Sequence, residues 1–489
     1  MKVKRFDVLN FACLCAVNLA LSGWPGQATA QSLDKPIKQA PPNVVIILAD
    51  DMGYGDIAPF GSKLNRTPNL NRMTAEGMKL TSFYGANVCT PSRAQLMTGC
   101  YAKRVGLPAV LGPKCPVGLS PDERTVADLL KLCGYNTMLI GKWHLGDQPP
   151  FLPTRHGFDH FLGLPSSNDH KPLFLVRDET VIQAPPEQDK LTAYYTEKAV
   201  KFIKTNKDHP FFLYLAHAAI HVPISPGKAF QGKSANGRLG DWVEETDWSV
   251  GCVLDTLKEL KLDTNTIVLF TSDNGGWREQ GKDGGDNGPL RGGKRSTYEG
   301  GLRVPAIFWW PGKIRRGTVS DAITSEMDVL PTVVKLAGGA VPPERKIDGL
   351  DIWPLLSGQT KTSPREALFY YRDVKSEGKL EAVRSGPWKL SIAAQSEGWK
   401  DLSPEILAQP YTPKLYNLDN DIGETTDVAA QHPDVVKRLQ GYVNQIEVDL
   451  GVDLKHGPGV RARGLVKDPK YLIEGPNGVN GIGVNIEYD

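Results

Sequence analysis

A cysteine and an arginine, four positions apart, form the stretch of this sequence with the most evident chemical potential. Residues 89–93 read Cys-Thr-Pro-Ser-Arg, and the run that follows, Ala94 to Thr98, is compatible with a helix. Because positions four apart share one helix face, Cys89 and Arg93 can point toward the same place. Free N–H groups at a helix start favour an anionic ligand. Taken alone, a cysteine near a helix start is usually structural or half of a disulfide.

Oxygen-bearing side chains follow two apolar runs elsewhere in the chain. Asp50 and Asp51 come directly after one run, and Asp273 and Asn274 come at the end of the other. Adjacent carboxylates repel each other unless a cation lies between them. Oxygen ligands, most of them anionic, suit a hard cation such as Ca²⁺ or Mg²⁺ rather than zinc. A solvated turn is the simpler interpretation of either motif on its own.

Lysines and histidines near other predicted strand ends can act on an anion. Lys142 and His144 lie in a Gly-Lys-Trp-His-Leu-Gly segment, His221 precedes a Val-Pro pair, and Lys294 lies in a glycine-rich loop. Lysine and arginine supply fixed positive charge, and an imidazole can transfer protons near neutral pH. Most such cations are solvated surface residues, so each position needs independent support.

Alternating strand and helix patterns would position these side chains. The predicted strands are Asn43–Ala49, Thr137–Ile140, Phe211–Ala216, Thr266–Thr271 and Val304–Trp310, and the predicted helices are Thr125–Leu132, Thr192–Thr205, Asp241–Leu260 and Met327–Leu336. Such alternation predicts a mostly parallel sheet, with ligand sites at the carboxyl ends of its strands. Four strands end in polar or charged clusters, a repetition that a set of unrelated turns explains poorly.

The pattern changes near residue 360. Short strand candidates at Ala367–Tyr371, Glu381–Arg384, Trp388–Ile392 and Lys414–Leu418 precede a helical pattern at His432–Val448. They predict a small antiparallel sheet that is covered by the helix. The predicted organisation is a catalytic domain over residues 31–360, a C-terminal subdomain over residues 361–450 and an irregular tail over residues 451–489.

Residues 1–30 are typical of a secretory signal. Basic residues precede a largely apolar run, Val8 to Trp24, and Ala28-Thr29-Ala30 is a cleavage motif. We expect an exported protein, either periplasmic or secreted, or lysosomal if the source is eukaryotic. No later segment predicts a membrane span. The chain without the signal carries balanced charge, so neither nucleic acid nor an anionic membrane is an expected partner.

The Cys-x-Pro-Ser-Arg string resembles the signature of the formylglycine-dependent sulfatases. Asp50-Asp51 and residues 141–146, 272–275 and 293–301 are similar to other blocks of that family, in its order. Residues 152–159, 382–386 and 415–419 are similar to the arylsulfatase A and N-acetylgalactosamine-6-sulfatase branch. The resemblance implies an α/β fold of the alkaline phosphatase and sulfatase type, with a mixed, mostly parallel sheet between helices.

The resemblance also implies a mechanism. Cys89 would be oxidised to formylglycine by a formylglycine-generating enzyme, and one hydroxyl of its hydrate would attack sulfur. The other hydroxyl would lose its proton as sulfate leaves, with His144 beside the nucleophile and His221 near the leaving oxygen. The implied catalytic residues are Cys89, Arg93, Lys142, His144, His221 and Lys294. The implied ligands of Ca²⁺, with Mg²⁺ as the second choice, are Asp50, Asp51, Asp273, Asn274 and the modified Cys89.

The function predicted from this resemblance is hydrolysis of sulfate monoesters, from sulfated sugars or aryl sulfates. The expected sugars are 6-sulfated galactosamine or galactose units, and His170 with Asn168 and Asp169 could line their pocket. His217 is expected to be structural. One alternative is a phosphoester hydrolase or transferase, which would normally use a Thr or Ser nucleophile. The other is a catalytically silent glycan-binding or calcium-binding protein, in which Cys89 would remain a thiol.

The remaining cysteines bear on maturation. Five follow the signal: Cys89, Cys100, Cys115, Cys133 and Cys252. If Cys89 is modified, the other four can form two disulfides or stay as buried thiols. Cys100 stands where the sulfatase family commonly has arginine after Thr-Gly, and it could pair with Cys115.

Overall fold

The computed structural model describes residues 41–374, 376–400, 402–407 and 409–474. The predicted signal over residues 1–30, with its cleavage motif, lies outside the described residues, as does the end of the predicted tail. Within the described ranges, no helix combines the length and the apolar character that crossing a bilayer requires.

The described residues form seventeen strands and ten α-helices. The strands are β1 (Asn43–Ala49), β2 (Met78–Tyr84), β3 (Val117–Gly118), β4 (Asn136–Lys142), β5 (His160–Leu164), β6 (Leu175–Arg177), β7 (Thr180–Gln183), β8 (Phe211–Ala216), β9 (Thr266–Ser272), β10 (Arg303–Trp309), β11 (Thr318–Ser320), β12 (Thr324–Ser325), β13 (Leu368–Val374), β14 (Glu377–Ser385), β15 (Trp388–Ser391), β16 (Lys414–Asn417) and β17 (Gly464–Leu465). The helices are α1 (Pro68–Glu76), α2 (Cys89–Thr98), α3 (Val126–Leu132), α4 (Gln188–Thr205), α5 (Gly237–Glu259), α6 (Glu299–Leu302), α7 (Val329–Leu336), α8 (Trp353–Leu356), α9 (Pro404–Leu407) and α10 (Pro433–Leu450).

One mixed sheet of eleven strands dominates the fold. Ten of its strands follow the order β11-β2-β10-β9-β1-β8-β4-β5-β6-β7, and β12 pairs with β2. The five central strands, from β9 to β5, are all parallel to one another. Antiparallel pairing begins on each side, at β10 and at β6. The predicted mixed, mostly parallel sheet is confirmed.

The sheet is covered on both faces, as its continuous apolar strands require. Alternate side chains of β1 enter two separate cores. Val44 and Ile46 pack with residues of α2, α3 and α7 on one face. Val45 and Ile47 pack with residues of α1, α4 and α5 on the other. Such burial on both sides holds the carboxyl ends of the central strands in a rigid layer.

A second, antiparallel sheet has the order β13-β14-β15-β16. Helix α10 covers one face of it, with Leu439 and Val443 packed against Leu380 and Leu390. The predicted antiparallel sheet with its covering helix is confirmed, whereas the domain boundaries at residues 360 and 450 stay predictions. Near the end of the described chain, β17 pairs with β3 and brings the C-terminal segment back to the main body.

Strand β2, which leads toward Cys89, was not predicted from the sequence. It lies between β10 and β11, and half of its length alternates between buried and half-buried side chains. Lys79 interrupts its apolar pattern, and the Lys79 ammonium donates to the carbonyl of Pro59 at 2.9 Å. A strand of this kind lacks the continuous apolar run that marks the central strands.

Candidate active site

The predicted site residues gather at the carboxyl ends of the central parallel strands. β1 runs into Asp50, β9 runs into Asp273, and β4 ends with Lys142. Backbone hydrogen bonds tie these ends together, because Asp50 N donates to Ala219 O at 2.7 Å and Asp273 N donates to Ala49 O at 3.2 Å. Side chains from distant parts of the sequence therefore meet in one layer above the sheet.

Cys89 is the first residue of helix α2, and its side chain is only 2% exposed. Val88 precedes it as an extended N-cap. Cys89 Sγ lies 3.6 Å from Asp50 Oδ1. Burial raises the pKa of the Cys89 thiol to about 12. Burial thus disfavours the thiolate form that a cysteine nucleophile needs.

Arg93 lies one helical turn after Cys89 and binds the ends of three strands. Its Nε and Nη2 atoms donate to Asp273 Oδ2 at 3.2 and 2.9 Å. Its Nη1 atom donates to the carbonyl of Lys142 at 2.6 Å, and Nη2 lies 3.6 Å from Asp50 Oδ2. The guanidinium is fully buried. Arg93 thus locks α2 onto the sheet and fixes the orientation of Cys89.

Two buried lysines each pair with one aspartate of the β1 end. Lys142 Nζ donates to Asp50 Oδ2 at 2.5 Å, and Lys294 Nζ donates to Asp51 Oδ2 at 2.8 Å. Burial opposes the charge of both ammonium groups, but the paired carboxylates outweigh it and raise the pKa of each lysine. Lys142 also donates to Ser167 Oγ at 3.0 Å. The site therefore holds permanent positive charge.

Asp51 has a left-handed backbone conformation, with a φ of 61°. Its amide donates to Asp273 Oδ1 at 3.1 Å, and its carboxylate accepts a hydrogen bond from Asn274 Nδ2 at 2.7 Å. Consecutive residues of an extended strand point to opposite faces, and the left-handed residue ends that alternation. Asp50 and Asp51 can therefore both direct their carboxylates into the same site.

His144 is buried as a neutral imidazole with a defined tautomer. Its Nε2 atom lies 2.9 Å from the carbonyl of Leu111, and because a carbonyl only accepts, Nε2 carries the proton. Its Nδ1 atom is buried and has no hydrogen-bond partner among the described residues. Burial, followed by the charge of Lys142, lowers the pKa of His144 well below its ordinary value. Nδ1 is thus a free proton acceptor.

His221 and His217 follow β8 but have different surroundings. His221 Nδ1 donates to the carbonyl of Val222 at 2.6 Å, which leaves Nε2 as the atom 3.7 Å from Asp51 Oδ2. Burial, followed by Lys294, lowers the pKa of His221. His217 instead contacts Ser249 Oγ at 3.0 Å through Nε2. Of these two histidines, only His221 has a ring atom beside the aspartates.

The side chains at the β1 end could hold a cation. Possible ligand atoms of Asp50, Asp51, Cys89 and His221 all lie within 4.8 Å of one another. Oδ1 of Asn274 is buried and has no hydrogen-bond partner within the described part of the chain. An orphaned amide oxygen beside carboxylates fits the oxygen-rich coordination of a hard cation. The predicted ligand Asp273 is not part of this cluster, because its Oδ2 atom accepts a hydrogen bond from Arg93, whereas His221, which was not predicted as a ligand, is part of it.

Comparison with known families identifies the family of the chain. The Sulfatase family model matches residues 42–340 of the chain. The chain belongs to the sulfatase family. A second model, N-sulphoglucosamine sulphohydrolase, C-terminal, matches residues 292–448 of the sulfatase. The enzyme class predicted from the Cys-x-Pro-Ser-Arg motif is confirmed.

Known relatives of the sulfatase agree with this assignment. It is 42% identical to N-acetylgalactosamine-6-sulfatase of Sus scrofa over 390 residues, which cover 74% of this chain and 73% of that protein. It is 37% identical to arylsulfatase A of Homo sapiens over 474 residues, which cover 88% and 92%. The solved structure of Ps i-CgsB in complex with k-i-k-neocarrahexaose matches with a TM-score of 0.72 and 29% identity, covering 83% of this chain and 92% of that one. The predicted branch resemblance is confirmed.

Two serines beside the site were not singled out from the sequence. Ser92 accepts a hydrogen bond from Ala86 N at 2.6 Å and donates to the carbonyl of Asp273 at 2.5 Å. Ser167 accepts the hydrogen bond from Lys142. The position of Ser92 inside the 89–93 motif was the available signal for the first. Nothing in the local sequence marks Ser167.

The suggested disulfide between Cys100 and Cys115 is wrong. All five cysteines of the described chain are free thiols. Cys100 Sγ instead accepts a hydrogen bond from Arg461 Nη2 at 3.2 Å. Arg461 also donates to Glu123 Oε1 at 2.7 Å. An arginine of the C-terminal segment thus contacts Cys100, the residue at which the resemblance implied an arginine.

Proposed function

We propose that this sulfatase hydrolyses sulfate monoesters of sugars, with a formylglycine made from Cys89 as its nucleophile and Ca²⁺ as its metal. One observation carries the proposal. Cys89 Sγ lies 3.6 Å from Asp50 Oδ1 at a helix start, and Arg93, Lys142 and Lys294 supply buried positive charge around it. Fixed cations of this kind stabilise an anionic ester whose leaving oxygen gains charge in the transition state.

The sugar part of the proposal rests on a cavity and on the relatives. A cavity of about 690 Å³ is lined by Asn168, Asp169 and His170. His170 lies beside the site, because its ring centroid is 5.4 Å from that of His144. The relatives bear the names N-acetylgalactosamine-6-sulfatase and arylsulfatase A, and Ps i-CgsB was solved with a neocarrahexaose. We propose 6-sulfated galactosamine or galactose units as substrates.

The chain's own residues divide the chemistry among them. Lys142 and Lys294 attract the sulfate oxygens, while Arg93 keeps Asp273 and the nucleophile helix in place. His144 accepts a proton through Nδ1, the atom that its bond to Leu111 leaves free. His221 faces the site through Nε2, and in its protonated, imidazolium form it would donate the proton of that atom to the departing alkoxide. Two histidines with opposite proton tasks are typical of acid–base catalysis.

The site residues fit both groups that the family implies. Asp50, Asp51, Asp273 and Asn274 would hold Ca²⁺, which supplies Lewis-acid polarisation of a sulfuryl oxygen when bound. The unpartnered Oδ1 of Asn274 supports this assignment within the described residues. Formylglycine, as its hydrate, would supply a second hydroxyl that no thiol has. The raised pKa of the Cys89 thiol, about 12, leaves the unmodified residue unsuited to attack.

Export and maturation complete the proposal. Residues 1–30 would direct the protein to the periplasm or out of the cell, or to the lysosome if the source is eukaryotic. A formylglycine-generating enzyme would act on Cys89. The proposed catalytic domain spans residues 31–360, followed by the antiparallel subdomain over residues 361–450.

Two measurements on the same preparation test the function. Mass spectrometry of the peptide that contains residue 89 is expected to find formylglycine. Sulfate release is expected from an aryl sulfate and from 6-sulfated N-acetylgalactosamine and galactose. Cys89→Ala should abolish release, while Cys252→Ala, which alters a half-buried free thiol, should leave it unchanged. Protein that carries formylglycine and Ca²⁺ but hydrolyses none of these esters would overturn the proposal.

A further inference from the structure

Two tryptophans stack on each other at the rim of the sulfatase site. The ring centroids of Trp277 and Trp399 are 4.8 Å apart, and the planes differ by 30°. Both tryptophans are half-buried residues. The two residues lie on separate loops, one after β9 and the other after β15. Neither tryptophan belongs to a hydrophobic core of the described residues, so the packing of the cores does not account for the pair.

The pair lies directly beside the groups that act on the sulfate ester. Lys294 Nζ is 4.7 Å from the ring centroid of Trp277 and 6.0 Å from that of Trp399. The imidazole of His221 is 5.8 Å from the Trp277 ring. A substrate whose sulfate is near Lys294 and whose ester oxygen is near His221 therefore lies close to Trp277.

Contacts at the backbone hold Trp399 in place. Its N–H donates to Glu279 Oε1 at 2.7 Å, and its carbonyl accepts a hydrogen bond from Arg295 Nη1 at 3.2 Å. The Arg295 guanidinium carbon also lies 4.9 Å from the Trp399 ring centroid, within the range of a cation–π interaction. A half-buried ring with this many fixed contacts is pre-organised, and pre-organisation lowers the entropy cost of binding a ligand.

We propose that Trp277 and Trp399 form a stacking surface for the pyranose ring that carries the sulfate ester. The inference rests on the proposed function and names the residues that select its substrate. Aromatic side chains contribute large, flat contact areas, and a small number of polar groups fixes the orientation of a bound ligand. His221 links this surface to the cavity beside it, because the His221 carbonyl accepts a hydrogen bond from Asn168 Nδ2 at 3.2 Å.

Steady-state kinetics of Trp277→Ala and Trp399→Ala test the stacking surface. With 6-sulfated N-acetylgalactosamine or galactose, each change is expected to raise KM about tenfold, the equivalent of losing one aromatic contact. Inorganic sulfate, tested as a competitive inhibitor, should keep its inhibition constant within about twofold, because it lacks the sugar. Trp399→Phe should recover most of the affinity, since a phenyl ring still stacks.

The control is Trp248→Ala, which removes a tryptophan that is 38% exposed and packs against Phe230. Trp248→Ala should change neither the KM for the sulfated sugars nor the inhibition constant of inorganic sulfate. Unchanged KM values in both alanine variants would overturn the stacking surface, and so would equal weakening of sulfate and sugar, which indicates a structural role. Wild-type protein that releases no sulfate would instead overturn the proposed function. Saturable quenching of tryptophan fluorescence by unsulfated galactose, lost in Trp277→Ala, would then still support the stacking surface, and its absence would count against it.

Discussion

The Lys142 ammonium lies 2.5 Å from the Asp50 carboxylate, although the strands that carry them are separated by β8. Both side chains are fully buried. The cations around Asp50, Lys142 foremost, together outweigh burial and hold the pKa of that carboxyl below its usual range. The pairing therefore stabilises the charged forms of both Lys142 and Asp50, which burial alone would disfavour.

Replacement of Lys142 by methionine should destabilise the fold and abolish activity. The change leaves a buried carboxylate without its closest partner, which costs about 3–5 kcal/mol of unfolding free energy. Urea denaturation in calcium-free buffer measures the loss. Lys207→Met, at an exposed position, should alter stability by less than about 0.5 kcal/mol. Equal stabilities of the two variants would show that Asp50 does not depend on Lys142.

Calcium should stabilise the folded sulfatase, independently of catalysis. A ligand that binds only the folded state adds about 2.7 kcal/mol at a concentration one hundred times its Kd. Asn274→Ala removes the unpartnered Oδ1 atom and should reduce the calcium-induced rise in Tm. Asn265→Ala, at a half-buried position after α5, should leave the rise unchanged. A wild-type Tm that is insensitive to calcium after chelation would contradict the metal assignment.

His156 should make the fold sensitive to acid. Its ring is buried, neither ring nitrogen has a partner among the described residues, and burial lowers its pKa to about 4. Below about pH 6.5 the His156 imidazole binds a proton in the unfolded chain but stays neutral in the folded chain. The free energy of unfolding therefore falls as the pH drops from 6.5 to 4. The full loss is about 3 kcal/mol, from about 1.4 kcal/mol per pKa unit.

His156→Leu should therefore weaken the dependence of unfolding free energy on pH by the contribution of this one buried histidine. Urea denaturation at pH 7 and at pH 4.5 gives the slope directly. His209→Leu, at an exposed position, should retain the wild-type slope. If His156→Leu also retains it, another group accounts for the acid sensitivity.

Arginine at position 100, which the family commonly has, should be destabilising in this chain. Cys100 is fully buried, and its sulfur is 3.2 Å from Arg461 Nη2. A second guanidinium there would be buried next to the first, at a cost of about 3 kcal/mol. Addition of Arg461→Ala to Cys100→Arg should restore part of the stability, whereas addition of the exposed Arg463→Ala should not. Additive effects in both double variants would contradict the idea that Arg461 takes the place of an arginine at position 100.

Patterns in the sequence were sufficient where a segment is buried on both sides. The runs that became β1, β8 and β9 are continuously apolar, and their assigned bounds match the structure to within one residue. Strand β2 was not predicted because Lys79 interrupts its apolar pattern. The short strands β6 and β7 have too few residues to show the two-residue period of a strand. Pairing with neighbours, which is a tertiary property, makes these segments strands.

The sequence predicted which residues would meet at the strand ends, but not how their side chains are oriented. Parallel strands bring their carboxyl ends together, so Asp50, Lys142 and Asp273 were expected to meet. The tautomer of His144 depends on the carbonyl of Leu111, in an irregular segment that has no local signature. Trp399 reaches the site from a loop more than a hundred residues after β9, and its sequence neighbours contain no hint of that position.

The burial of Cys89 determines whether the residue can be oxidised before or after the chain folds. With 2% of its surface exposed, the thiol is out of reach of any second protein once α2 has docked on the sheet. The oxidation that the proposed function requires must therefore take place on a nascent or translocating chain, while residues 89–93 are still an accessible peptide. Under the proposed function, a molecule that folds before this oxidation would keep its thiol and would not be activated.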